Sequence, residues 1–150
     1  MKSILAQSEW WFLERLDFGG ALLVVEMVEG CVSPVSENIP IEGAGTVPDV
    51  RPIEVTEQSR RVRVKFSNVL AHQVTDESYA EPASGKMKEL AGRILCQHTG
   101  SEYVEYVQQN SLIKHLIDDP VHHYRLKKLQ LQKKNLDLTQ KNSFIFQKMC

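Results

Sequence analysis

The densest group of side chains able to do chemistry lies between residues 115 and 123. It contains His115, Asp118, Asp119, His122 and His123. Imidazole and carboxylate groups suit zinc or iron, and three converging ligands with a water would form a catalytic site. However, no His-Glu-x-x-His helix is present, and a strand would direct His122 and His123 to opposite faces. We therefore expect hydrogen-bonded or surface histidines and no metal or other cofactor, and a hydrolase using the His115–His123 segment stays an alternative.

Cysteine and serine nucleophiles also lack their usual partners. The sequence has no Gly-x-Ser-x-Gly turn, and Cys31, Cys96 and Cys150 are widely spaced without a Cys-x-x-Cys pair. Cys96 and His98 would share one face of a strand, but a catalytic thiolate must also be exposed and activated. We expect Cys96 to pack in the core. The sequence favours a protein that is not an enzyme, with reduced thiols typical of the cytoplasm.

A row of cations formed by Arg61, Arg63 and Lys65 is the strongest candidate for a contact surface. It alternates with an apolar row over residues 62–66, and only a strand separates alternate residues in this way. The three cations could meet an acidic protein or phosphate, or they could pair with cross-strand carboxylates on a solvated surface. Trp10 joins the candidates because the adjacent aromatics of residues 10–12 cannot all face one core, and exposed Trp is favoured at protein contacts. The alternative is that this indole packs half-buried against the fold.

The charge of the chain is distributed unevenly. Residues 1–123 contain 11 Lys/Arg and 18 Asp/Glu, a net −7, whereas residues 124–150 contain seven and one, a net +6. The basic 124–150 segment could bind along the phosphates of a nucleic acid, but the acidic remainder of the chain would repel them. Nucleic-acid binding is therefore the alternative to protein binding. The longest apolar run, residues 21–25, is much shorter than the roughly 20 residues of a membrane span. We expect a cytoplasmic protein without a targeting signal or membrane association.

Apolar spacing in the first half of the chain predicts the main structural elements. Helical spacing over residues 3–16 predicts an N-terminal helix, and the apolar run over 21–28 predicts a strand buried on both faces. Alternating Gly and Pro predict an irregular loop over 29–50, followed by a short edge strand over 51–55. The alternating pattern from Val62 to Val74 predicts one long strand, with Val64, Phe66 and Leu70 facing the core and a bend near Asn68.

The second half contains weaker signals. Residues 76–88 are expected to form a loop and residues 90–96 a strand. Thr99 and Glu102 fit a capping box that opens a helix at about 100–117. Residues 121–131 suit a strand or a helix, and this choice stays open. The expected fold is a single α+β domain over 1–138, an antiparallel sheet with both helices packed on it, followed by a frayed tail over 139–150.

A resemblance adds a function to this fold. The segment FSNVLAHQVTDESY over residues 66–79, together with His123-Tyr124, resembles a pattern in small uncharacterised bacterial proteins, some of them similar to immunity-type proteins that neutralise toxins. The likeness covers residues 10–126 and assigns no functional residue. The chain departs from the pattern after Leu126, where an acidic-apolar strand would be expected. The resemblance implies a non-catalytic domain that binds another protein, and it leaves the partner and the oligomeric state open.

Overall fold

Antiparallel β-structure dominates the computed structural model, which describes residues 3–76, 86–131 and 141–149. Its strands are β1 (Trp11–Gly19), β2 (Leu22–Glu29), β3 (Cys31–Val32), β4 (Glu37–Ile41), β5 (Gly45–Val50), β6 (Ile53–Glu54), β7 (Arg61–Phe66), β8 (Val69–Asp76), β9 (Lys86–Ala91), β10 (Leu95–Thr99), β11 (Val121–Leu131) and β12 (Lys141–Met149). The helices are a 3-10 turn (Ile4–Gln7), α1 (Glu102–Gln109) and α2 (Ile113–Leu116). The antiparallel sheet of the expected α+β fold is confirmed.

The main sheet has eight strands in the described part of the chain. Their order is β7-β2-β1-β11-β10-β9, and β12 lies between β11 and β8. Every pairing in this sheet is antiparallel except that of β1 with β11. The core lies against β2, whose Leu23, Val25 and Met27 are fully buried, together with Trp11 from β1 and Leu126 from β11. The strand expected over 21–28 is therefore confirmed, but burial on both faces is wrong, because Leu22 is exposed and Val24 and Glu26 are only partly buried.

The N-terminal helix expected over 3–16 is wrong, because only the 3-10 turn is helical and β1 follows it. A β-bulge between Leu13 and Arg15 explains the error. The extra residue shifts the alternation, so that Leu13 lies opposite Met27 and Leu16 lies opposite Val25 on the same face. Apolar residues three positions apart thus imitate a helical period inside a strand.

The irregular loop expected over 29–50 is also wrong. Three nested strand pairs follow one another in this region: β2 with β7, then β3 with β6, then β4 with β5. Residues 31–54 therefore form a two-stranded ribbon that continues the β2–β7 edge of the sheet and ends in a turn at residues 42–44. Gly43 (φ 79°) and Gly45 (φ 92°) provide the left-handed backbone of this turn.

The long alternating strand is confirmed up to its bend and wrong beyond it. Phe66 is buried, whereas Arg61, Arg63 and Lys65 are exposed. Asn68 has a φ of 56°, and the chain leaves β7 there to begin β8 beside β12. The bend reverses the parity, so that Val69 takes the core position expected for Leu70, which is only partly buried.

In the second half of the chain, turns divide two elements that the sequence predicts as continuous. A hairpin of β9 and β10 replaces the strand expected over 90–96, with Gly92 (φ 58°) in its turn. The helix expected at about 100–117 is divided into α1 and α2, and its N-cap is Ser101 rather than Thr99. Ser111 Oγ donates to the Val107 carbonyl (2.6 Å), which competes with the helical hydrogen bonds where α1 ends.

The C-terminal segment contributes backbone to the sheet. Residues 121–131, which suited a strand or a helix, form β11. For the tail expected over 139–150, the structure places the backbone of Lys141–Met149 in β12. Most of the loop expected over 76–88, residues 77–85, lies outside the described residues. No helix within the described residues is long and apolar enough to cross a membrane.

Candidate functional site

The ribbon of residues 31–54 is fixed to the sheet at a glycine. Gly30 is buried, and its N–H donates to the carbonyl oxygen of Trp10 (3.0 Å). A Cβ atom at this position would lie 2.5 Å from Ile53 Cγ2 and 2.7 Å from Phe12 Cε2. Only glycine therefore permits the ribbon to pass this close to β1. The half-buried Trp10, a predicted contact residue, lies at this base.

An ion pair reinforces the same base. Arg60 donates from Nε to Glu29 Oε2 (2.6 Å) and from Nη2 to Glu29 Oε1 (2.5 Å). Arg60 Nη1 donates to Gln7 Oε1 (2.7 Å), which connects the 3-10 turn to the ribbon base. The hydrogen bonds from the Arg60 guanidinium lower the pKa of Glu29. Two-point pairing of this kind restricts geometry more than a single contact does.

The outer hairpin of the ribbon, β4 and β5, exposes apolar side chains on one face. Ile39 lies opposite Val47 and Ile41 lies opposite Gly45, so the alternation of strands puts Ile39, Ile41 and Val47 together. These three side chains are 42%, 47% and 43% exposed. The hairpin pairs with no other strand among the described residues. Two strands without further support are marginally stable in water, and a contiguous apolar surface usually marks an interaction site.

The opposite face of the hairpin has a different composition. By the same alternation it carries Pro40, Thr46 and Pro48. Proline lacks an N–H, so the hairpin offers fewer backbone donors to an added strand. A partner would therefore contact the face with Ile39 rather than extend the sheet at an edge. In the sequence, Pro40 and Pro48 lie next to these apolar residues, and because prolines are frequent in loops the sequence predicts an irregular loop here.

The predicted basic row lies on the solvent side of β7, next to carboxylates. Arg61 pairs with Glu14 at 3.1 Å, and Arg63 pairs with Glu26 at 2.5 Å. Lys65 lies opposite Val24 and makes no ion pair with the residues that the structure describes. The cross-strand carboxylates of the alternative interpretation are thus present, and two of the three cations are already neutralised.

The histidine-rich segment does not converge on one point. His115, Asp118 and Asp119 are exposed, whereas His123 is buried. His122 lies on the other face of β11, where its Nδ1 is 3.1 Å from Gln97 Nε2. Within the described part of the chain, no group of three His, Cys, Asp or Glu side chains is placed to hold a metal ion.

The structure instead groups His123 with side chains from neighbouring elements. His123 lies opposite His98 in the β10–β11 pairing, and the two rings stack with centroids 4.5 Å apart. Ser101 Oγ, at the N-cap of α1, is 2.5 Å from His123 Nδ1 and accepts a hydrogen bond from Val104 N–H (3.4 Å). Ser101 and His123 are 7% and 4% exposed. The spacing of His98, Ser101 and His123 along the chain gave no signal for this cluster.

A serine beside a histidine at a helix N-terminus has the composition of a nucleophile and its base. Burial, aided by the charges of His98 and Arg125, lowers the pKa of His123 to about 3. A base this weak removes a serine proton poorly at neutral pH. The clefts of about 310 Å³ beside the 3-10 turn and about 290 Å³ beside β7 are lined by neither Ser101 nor His123. The geometry favours an anchor between α1 and β11.

Two further sequence candidates are Cys96 and the basic 124–150 segment. Cys96 is buried, as expected, and its Sγ lies 3.8 Å from the Arg93 carbonyl oxygen. The side chains of the basic segment beyond Leu126 lie outside the described residues.

Comparison of the chain with protein-family models, curated proteins and solved structures gave no match.

Proposed function

We propose that this protein is a non-catalytic domain that binds another protein, in the manner of an immunity-type partner, and that the ribbon supplies the contact surface. One observation carries the proposal: the apolar face of Ile39, Ile41 and Val47 projects beyond the main sheet and is more than 40% exposed at each residue. Burial of such a face against a partner is favourable at about 25 cal/mol per Å² of apolar area. The fixed base at Gly30 would limit the entropy lost on binding.

The other candidate residues have smaller parts in this proposal. Trp10, at the ribbon base, would lie at the margin of the contact. Arg61 and Arg63 would have to exchange their carboxylate partners for those of another protein, which yields little net free energy at a surface. Lys65 is the cation of this row that could form a new pair without such an exchange. The row therefore stays a predicted contact surface of lower rank than the ribbon.

A variant-controlled capture experiment tests the proposal. The tagged protein and two variants, Ile39→Asp and Thr46→Asp, would be incubated with extract of the organism that encodes the chain, and bound proteins would be quantified by mass spectrometry. The variants add the same charge to opposite faces of one hairpin. We expect a protein that binds the parent chain and Thr46→Asp equally and is lost with Ile39→Asp. Equal recovery with all three baits would contradict the proposal.

A further inference from the structure

We infer that the ribbon recognises a basic partner surface, in which an apolar patch is bordered by Lys or Arg side chains. This inference rests on the proposed function and specifies the partner's chemistry. Residues 31–54 contain four carboxylates (Glu37, Glu42, Asp49 and Glu54) and one cation, Arg51, a net charge of −3. All four acidic residues are exposed. Glu37 and Asp49 lie on the two strands of the outer hairpin, Glu42 lies in its turn, and Glu54 lies on β6 at the base of the ribbon.

The acidic residues of the ribbon differ from those of the main sheet in their pairing. On the solvent side of β1, β2 and β7, Glu14 and Glu26 are paired with arginines. Within the described residues, Glu37, Glu42 and Glu54 have no such cation. Among the described residues, no ion pair therefore neutralises the negative potential of the ribbon. Complementary charge on a partner would speed association and select against acidic competitors.

One of these carboxylates is held in place by the ribbon. Asp49 has a φ of 56°, its N–H donates to Asn38 Oδ1, and its Oδ1 accepts from Ser36 Oγ, both at 3.3 Å. These contacts orient the carboxylate before a partner arrives. A fixed charge loses less conformational entropy on binding than a mobile side chain does.

The same charges argue against a second copy of this chain as the occupant. In a symmetric dimer formed through the ribbon, each ribbon would contact the same ribbon of the other copy, so two surfaces of net charge −3 would face each other. Like charges placed opposite each other weaken association. Pairing of strand edges is also hindered, because β4 contains Pro40 and β5 contains Pro48. A different protein with a basic surface fits the ribbon better.

The test uses a displayed library of random 15-residue peptides, selected on the parent protein and counter-selected on Ile39→Asp. We expect the enriched peptides to combine apolar residues with a net positive charge. A synthetic peptide of the consensus sequence should bind the double variant Glu37→Lys/Glu42→Lys at least about fivefold more weakly than it binds the parent protein. Its affinity for the parent protein should fall as the salt concentration rises from about 50 to about 500 mM. The control variant is Glu105→Lys, which makes the same substitution at an exposed position of α1, away from the ribbon. It should leave the affinity unchanged.

The outcomes separate the two proposals. Enrichment of neutral or acidic peptides that still require Ile39, with affinity insensitive to salt, would overturn the basic partner and leave the ribbon as a binding surface. A concentration-dependent dimer in analytical ultracentrifugation that Ile39→Asp abolishes would replace the basic partner with a second copy. Failure to enrich any peptide that distinguishes the parent from Ile39→Asp would count against both the inference and the proposed function.

Discussion

Protonation of His123 should govern part of the acid sensitivity of this fold. Its pKa is lowered from 6.5 to about 3 by burial and by the charges of His98 and Arg125. The folded protein therefore binds this proton more weakly than the unfolded chain does. The resulting stabilisation is complete above pH 6.5 and is lost as the pH falls from about 6.5 towards 3.

The size of the effect follows from this pKa difference. Each pH unit inside the window costs about 1.4 kcal/mol in the free energy of unfolding, so the full shift would amount to about 5 kcal/mol. Between pH 7 and 5 the loss would be about 1–2 kcal/mol. A loss of this size is a measurable fraction of the stability of a small domain.

Urea unfolding at pH 7 and pH 5, followed by tryptophan fluorescence, would measure the loss. We expect the parent protein to lose about 1–2 kcal/mol more over this interval than His123→Gln, which cannot titrate at this position. His115→Gln, a matched change at an exposed histidine, should follow the parent protein. Only the difference between the two pH values matters, so any constant destabilisation by the substitution cancels. The same pH dependence in the parent protein and His123→Gln would show that protonation of His123 does not contribute to the acid sensitivity.

Three substitutions test the packing on which the site depends. Gly30→Ala should destabilise by about 1–3 kcal/mol in chemical denaturation, because its Cβ would lie 2.5 Å from Ile53 Cγ2, whereas Gly19→Ala has open space; equal stability of the two variants would refute the close approach. Phe66→Ala should cost about 3–5 kcal/mol, since Phe66 is 5% exposed, and a loss below about 1 kcal/mol would contradict its core position. Arg63→Ala should change stability by less than about 1 kcal/mol, and a larger loss would show that its pair with Glu26 is more than a surface contact.

The spacing of apolar residues predicted strands correctly where the backbone is regular. The alternation from Arg61 to Phe66 predicted the buried and exposed sides of β7 correctly, because an unbroken strand places alternate side chains on opposite faces. The apolar run predicted the strand β2, but one of its faces is only partly covered. The bend at Asn68 was also expected. Its consequence was not: a single left-handed residue reversed the parity and placed Val69 in the core.

Other elements depended on contacts that the sequence does not display. The bulge in β1 gave Leu13 and Leu16 a helical spacing that only the pairing with β2 resolves. The ribbon contains the Gly and Pro of a loop, but the pairing of β3 with β6 and of β4 with β5, in continuation of β2 with β7, keeps it extended. The Ser101–His123 contact joins residues 22 positions apart through the pairing of β10 with β11. Such long-range pairings override local propensity.

Site-specific photo-cross-linking inside the producing cell tests whether the apolar face of the ribbon contacts a partner protein. A photoreactive phenylalanine analogue would replace Ile39, Thr46 or Arg63 in turn, since these positions sample the apolar face, the opposite face and the charged side of β7. We expect one dominant adduct with a different protein from position 39 and little adduct from positions 46 and 63. Adducts of equal yield from all three positions, or a dominant adduct from position 63 alone, would contradict the ribbon as the contact surface.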